Sequence, residues 1–219
     1  MRNLVLLLLT SALPQLLAAQ TASQNYIFSR RPLNTAGTAA IETVTYVDGL
    51  GRPVETVQKG AAPDGGDIVS MKEYDGLDRE VRSWLPVPVG NGGGGYVPPQ
   101  TFKSAAVGSD VYDGDSSPYS ENVYEQSALG RIIRKQGPGK AWRDADSHTD
   151  TEFYANRADG ALRCLDYRVG DDGRLVCRGA YPVGTLYVTK TTDEDGGISY
   201  EFTDMFGDRQ LVGTMGDDG

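Results

Sequence analysis

One stretch constrains the whole chain, because it recurs: Tyr46-Val47-Asp48-Gly49-Leu50-Gly51-Arg52-Pro53-Val54-Glu55-Thr56-Val57. It returns as Tyr74-Asp75-Gly76-Leu77-Asp78-Arg79-Glu80-Val81, and as Tyr124 through Leu129-Gly130-Arg131-Ile132-Ile133. Two further copies are Tyr167 through Gly173-Arg174-Leu175-Val176 and Phe202 through Phe206-Gly207-Asp208-Arg209. Each reads as an aromatic strand end, a tight Gly/Asp turn, an arginine and a new alternating strand. Internal repetition dictates architecture before any single residue does. The Asp-Gly and Leu-Gly pairs are expected to supply the positive φ that two-residue hairpin turns need. The β-branched and aromatic flanks suit a half-buried pleated surface. An arginine just after the turn can stack on the tyrosine of its own or the next hairpin, or bond turn carbonyls. A lone hairpin is marginal, so successive copies must lie side by side and share a buried face. The expectation is an all-β, antiparallel sheet of successive β-hairpins.

The chain between the copies fills in this plan. Asn25 to Arg31 predicts an edge strand docking onto the first hairpin, and Ile41 to Val47 alternates cleanly. After Trp84 the pattern breaks. Two prolines keep Leu85-Pro86-Val87-Pro88-Val89 out of a central strand. Gly90-Asn91-Gly92-Gly93-Gly94-Gly95 reads as flexible and low in complexity. Residues 86–119 are therefore expected to be an irregular Pro/Gly-rich insert, either tolerated surface or a functional loop. The hairpin pattern resumes at Ser120. Leu186 to Phe202, turning at Asp195-Gly196 or Gly196-Gly197, is the clearest hairpin. The last unit ends in Gly213 to Gly219 where a following strand is expected, which suggests the front of a longer reading frame or a gene truncated from one.

Candidate chemistry is sparse. Asp144, Asp146, His148 and Asp150 would share one face of an extended segment and could hold a divalent ion, against the simpler reading of a solvated acidic loop. His148 is the only histidine, and no Gly-x-Ser-x-Gly elbow accompanies it. Cys164 and Cys177 lie on the two arms of one predicted hairpin. A cross-arm disulfide is the reading if the register aligns them, and free buried thiols otherwise. Most carboxylates sit in Asp-Gly turns, where turn geometry and solvation account for them. No catalytic residue and no cofactor is expected, and the chain reads as non-enzymatic.

Met1-Arg2-Asn3, the apolar run Leu4 to Leu9 and the small residues up to Ala19 read as a secretory signal peptide over residues 1–19. Pro14-Gln15 interrupts the run, against the rival reading of a membrane span. The mature chain is expected to be secreted or at the cell surface, without a stable membrane anchor. Its formal charge of −9 argues against nucleic acid as a partner. The predicted organisation is a leader, an N-terminal strand with first hairpins over 20–85, the insert, and further hairpins over 120–219.

The repeat Tyr-Asp-Gly-Leu-x-Arg-x-Val resembles the YD repeat of RHS proteins. The resemblance rests on Val44 to Pro53, Glu73 to Leu77, Trp84 to Pro86, Gln136 to Trp142 and Tyr187 to Gly196. It is closest to the N-terminal region of secreted RHS-type proteins of Bacteroidota. Its signature falls on Tyr46, Asp48, Gly51, Arg52, Tyr74, Asp75, Gly76, Arg79, Gly130, Arg131, Gly173, Arg174, Gly207 and Arg209. Asp78 and Asp208 interrupt the Leu-Gly-Arg pattern. The resemblance implies a partial or open β-shell and a structural role beside neighbouring repeats or the remainder of a longer chain. In that family the shell encloses a C-terminal toxin or effector. The rival reading is a stand-alone extracellular module that binds a glycan or a cell-surface protein through exposed tyrosines and tryptophans, Trp84 and Trp142 among them.

Overall fold

The computed structural model describes Thr21, Ser23–Gly90 and Gly92–Met215; the leader expected over residues 1–19 lies outside the described residues. The protein is all-β, with 43% strand and 10% helix. Its strands are β1 (Asn25–Pro32), β2 (Ala40–Val47), β3 (Pro53–Gln58), β4 (Ile68–Tyr74), β5 (Glu80–Trp84), β6 (Val87–Pro88) and β7 (Tyr119–Tyr124). They continue with β8 (Ile132–Gln136), β9 (Thr149–Ala155), β10 (Leu165–Val169), β11 (Leu175–Ala180), β12 (Tyr187–Thr192), β13 (Ile198–Thr203) and β14 (Arg209–Met215). Among the described residues, twelve of these strands form a large antiparallel sheet that is not closed into a barrel. The hairpin β10-β11 is a separate two-stranded sheet.

Two compact units divide the chain, one running to Val69 and including Pro88–Pro99, the other made of Ser70–Val87 and the chain from Gln100 onward. In the first unit β2 pairs with β1 on one side and β3 on the other. All eight residues of β1 are exposed, as an edge strand with no covering layer should be. Val44, Tyr46, Val57 and Val69 form the buried face, alternating along β2 and β3 because successive side chains point to opposite sides.

The glycine run belongs to this core and is not a solvated linker. The Tyr46 hydroxyl donates to the Gly94 carbonyl at 2.8 Å, and the Gly94 N–H donates to Asp67 Oδ2 at 2.7 Å. Gly92 has φ +79°, and a Cβ there would lie 2.4 Å from the Gly65 carbonyl oxygen. Backbone lies against backbone, so glycine is required for closeness as well as for φ. The composition that reads as flexibility is here a packing requirement.

The second unit runs as an antiparallel meander through β4, β5, β7, β8, β9, β12, β13 and β14. The expected irregular insert also contains a helix, α1 (Pro99–Val107), whose Phe102 and Ala106 are fully buried. Proline is tolerated in a first helical turn, and a 102/106 spacing places both residues on one helix face. Burying Phe102 contributes about 2 kcal/mol. It meets Trp84 edge to face at 6.0 Å, and Trp84 meets Tyr119 in a tilted contact at 4.6 Å. A second cluster gathers Cys164, Leu186, Val188 and Phe202.

Candidate functional site

The repeated turn carries the organisation of the molecule. Asp48 ends β2, and its N–H donates to the Arg52 carbonyl at 3.0 Å; the Gly51 N–H returns to the Asp48 carbonyl at 3.0 Å. Gly51 has φ +81°, and the β2–β3 register slips between Tyr46 and Val47. This is the three-residue loop closed by a left-handed bulge residue. The same pair of backbone bonds recurs in Asp75/Arg79 with Asp78, in Gly170/Arg174 with Gly173, in Asp193/Gly197 with Gly196 and in Asp204/Asp208 with Gly207. A longer version joins Glu125 to Arg131, with Gly130 at the bulge.

This geometry corrects the expected turn chemistry in part. Positive φ falls on the residue that closes each turn: the Leu-Gly glycines Gly51 and Gly130 and the Asp-Gly glycines Gly173 and Gly196 take it as expected, with Asp78 and Gly207, whereas Gly49 and Gly76 have no such role. Asp78 does not interrupt the pattern, because it takes the left-handed position at φ +65°, which aspartate tolerates better than most residues. Asp208 occupies the arginine slot of the last turn. Arg209 falls one residue beyond and pairs with Glu201 at 2.5 Å. The fourth copy has Gly170 where the acid should be, and the Arg174 side chain is left 85% exposed.

The first acid of each complete copy does two jobs. Asp48 Oδ1 accepts from the Leu50 and Arg52 N–H groups at 2.9 and 3.0 Å, and Oδ2 accepts from Arg52 Nε at 2.7 Å. Asp75 repeats this at 2.9, 3.0 and 2.8 Å with Leu77 and Arg79. An aspartate that bonds backbone N–H groups further along the chain is itself a turn former. Bonds to the Arg52 side chain, and to the Arg79 backbone and side chain, hold these carboxyls below their usual range. The Arg131 fork does the same to Glu125, lowering it to about 2. The arginines also reach forward: Arg79 lies 4.4 Å over the Tyr124 ring and Arg131 lies 3.9 Å over Phe153. One hairpin thus grips an aromatic of a later strand.

A shallow groove of about 390 Å³ passes Arg131 and Phe153, with Glu125, Asp150 and Glu152 on its walls. Every one of those carboxylates has a cation: Arg131, Arg134 and Lys190, at 2.8, 2.8 and 2.6 Å.

In the acidic segment singled out for a metal, Asp146 and Asp150 stay beside the His148 ring, at 3.5 and 3.1 Å, and Asp144 is set apart. Asp144 lies in a short helix, α2 (Lys140–Asp144), ion-paired to Lys140. Asp146 has φ +50°, and strand geometry starts only at Thr149. The period of two that would align the four groups therefore does not apply. Arg134 pairs with Asp150, and His148 Nε2 stands 3.1 Å from the same carboxylate. Among the described residues, no three His, Cys, Asp or Glu side chains could hold a metal ion.

The cysteines are both free, Cys164 buried and Cys177 exposed. Tyr167 faces Cys177 in the β10–β11 register, and Leu165 faces Ala180. The Cys164 carbonyl instead accepts from the Tyr181 N–H at 2.9 Å. An offset of about three residues is about 10 Å along a strand, beyond the Cα separation a disulfide spans. The expected bridge is absent because of register. Trp84 is likewise unavailable for ligand, since it is core; Trp142 is 48% exposed.

A family model described as a domain of unknown function (DUF6443) matches residues 20–155. No curated protein and no solved structure matches the chain. With well over half of its length under that match, the chain belongs to the DUF6443 family.

Proposed function

We propose that this chain is a non-catalytic structural segment of an exported RHS/YD-repeat-type protein, in which its hairpins start or dock a larger β-shell. The observation that carries this reading is the repetition of one atomic device. Asp48 with Arg52 and Asp75 with Arg79 make the same carboxylate contacts in the same order. In the second unit Arg79 and Arg131 reach onto aromatics of later strands, so these two hairpins are each tied to a later strand. Among the described residues β14 stands at the end of the sheet, and an edge strand presents unpaired backbone groups to a following one. The partners on this reading are neighbouring repeats or the remainder of a longer chain.

The test is to read the DNA downstream of the Gly219 codon and to size the secreted product from the native host. A continuing frame rich in Asp-x-x-Gly-Arg turns and a correspondingly large product are the expected result. A stable exported product close to the mass of this chain would overturn it. A second reading, an extracellular binding module, is favoured by an aromatic-lined hollow beside the β10–β11 hairpin.

A further inference from the structure

We propose that the hollow between the β10–β11 hairpin and β14 binds a carboxylate carried on a compact ring, the chemistry of a uronic-acid residue. Its volume is about 320 Å³, and Arg163, Leu165, Tyr167, Tyr181, Gln210 and Leu211 line it. That lies within the size range of small-ligand sites, which combine apolar walls with a few placed polar groups.

Most polar groups here are already engaged and hold the walls in place. The Tyr181 hydroxyl donates to Gln210 Oε1 at 2.9 Å and accepts from Arg168 Nη2 at 3.3 Å. Gln210 Nε2 in turn donates to Asp204 Oδ2 at 3.0 Å. Arg163 is the exception. Among the described residues its guanidinium has no hydrogen-bond or ion-pair partner, whereas Arg131, Arg134 and Arg143 each meet a carboxylate at 2.8 Å. Arg157 and Arg178, in the same excursion between β9 and β12, also have no side-chain partner among the described residues. In a chain of formal charge −9, an unpaired guanidinium lining a hollow is a point that draws an anion.

The shape of the cation narrows the ligand. A guanidinium fork matches a carboxylate through two parallel N–H···O bonds. One lining guanidinium without a second lining cation suits a single negative charge. The Tyr167 ring, half exposed, and the two leucines offer a flat apolar wall to the face of a pyranose or a benzene ring. Such a site would serve a shell segment and a binding module alike.

The experiment titrates the full chain with tetragalacturonate, with its methyl ester and with benzoate, following heat and amide chemical shifts. Saturable tetragalacturonate binding is expected, at least tenfold weaker in Arg163→Gln and Tyr167→Ala, at least tenfold weaker for the ester, and unchanged in Arg31→Gln. Arg163 is exposed and unpartnered, so its replacement should leave the melting midpoint unchanged. Benzoate binding with the same Arg163 dependence, without tetragalacturonate binding, supports the carboxylate site and assigns it to free ring acids. Binding of neither acid, or binding that survives Arg163→Gln, overturns the proposal.

Discussion

Glu55 should make this protein less stable as pH rises from about 4.5 to about 7, and Glu55→Gln should abolish that dependence. The side chain is 2% exposed. Oε1 accepts from the Val97 N–H at 3.0 Å, while Oε2 is buried without a partner. Burial disfavours the carboxylate and raises the group from 4.5 to about 7, the Val97 bond opposing only in part. Below about 4.5 the acid is protonated folded and unfolded. Between the two values the folded chain keeps a proton that the unfolded chain has released, so stability falls with rising pH. Above about 7 the loss is complete and amounts to about 3 kcal/mol. Glutamine keeps the Val97 bond and carries no charge, but its amide N–H groups need acceptors, an opposing cost of about 1–2 kcal/mol. Urea midpoints at half-unit steps from pH 4.5 to 8 would measure this. The curve for Glu55→Gln minus wild type should climb by about 3 kcal/mol and cross to favour the variant near neutrality. A flat difference across the range would refute the reasoning, because it would mean that Glu55 ionises alike in both states.

Four other outcomes follow from the same geometry. Gly51→Ala should cost about 1 kcal/mol through its φ alone, having open space around it, while Gly49→Ala should be near neutral; urea unfolding separates them, and equal losses would return the turn to a two-residue type. Gly92→Ala should cost about 2 kcal/mol or more, since its Cβ meets the Gly65 carbonyl oxygen at 2.4 Å. Trp84→Ala should lose about 3–5 kcal/mol, against about 0.5 kcal/mol or less for the exposed Trp142→Ala, as read from thermal and urea midpoints. Maleimide should label Cys177 in the folded protein and Cys164 only after unfolding, because burial both shields that thiol and raises it; equal labelling rates would contradict the burial of Cys164.

Much of this was legible in the residues. Tyr46, Asp48, Gly51 and Arg52, and their echo at Tyr74, Asp75 and Arg79, announce hairpins because a turn is a local object: its hydrogen bonds run between residues at most four apart. The alternation along β2 and β3 follows from the strand period, but the period does not say that the face of Val44, Tyr46 and Val57 is buried and not the face of Ile41, Thr43, Thr45 and Val47. What local pattern could not decide was which backbone meets which. The glycine run reads the same whether solvated or pressed against Gly65, since the distinction rests on a carbonyl oxygen far off in sequence. Phe102 and Ala106 mark a helix face only once Trp84 gives them something to pack on. The disulfide depends on a register offset of about three residues, and the acidic segment on Arg134 and Lys140 arriving first. Local bonding is written in the chain, whereas burial and charge pairing depend on distant partners, and those only the folded protein assigns.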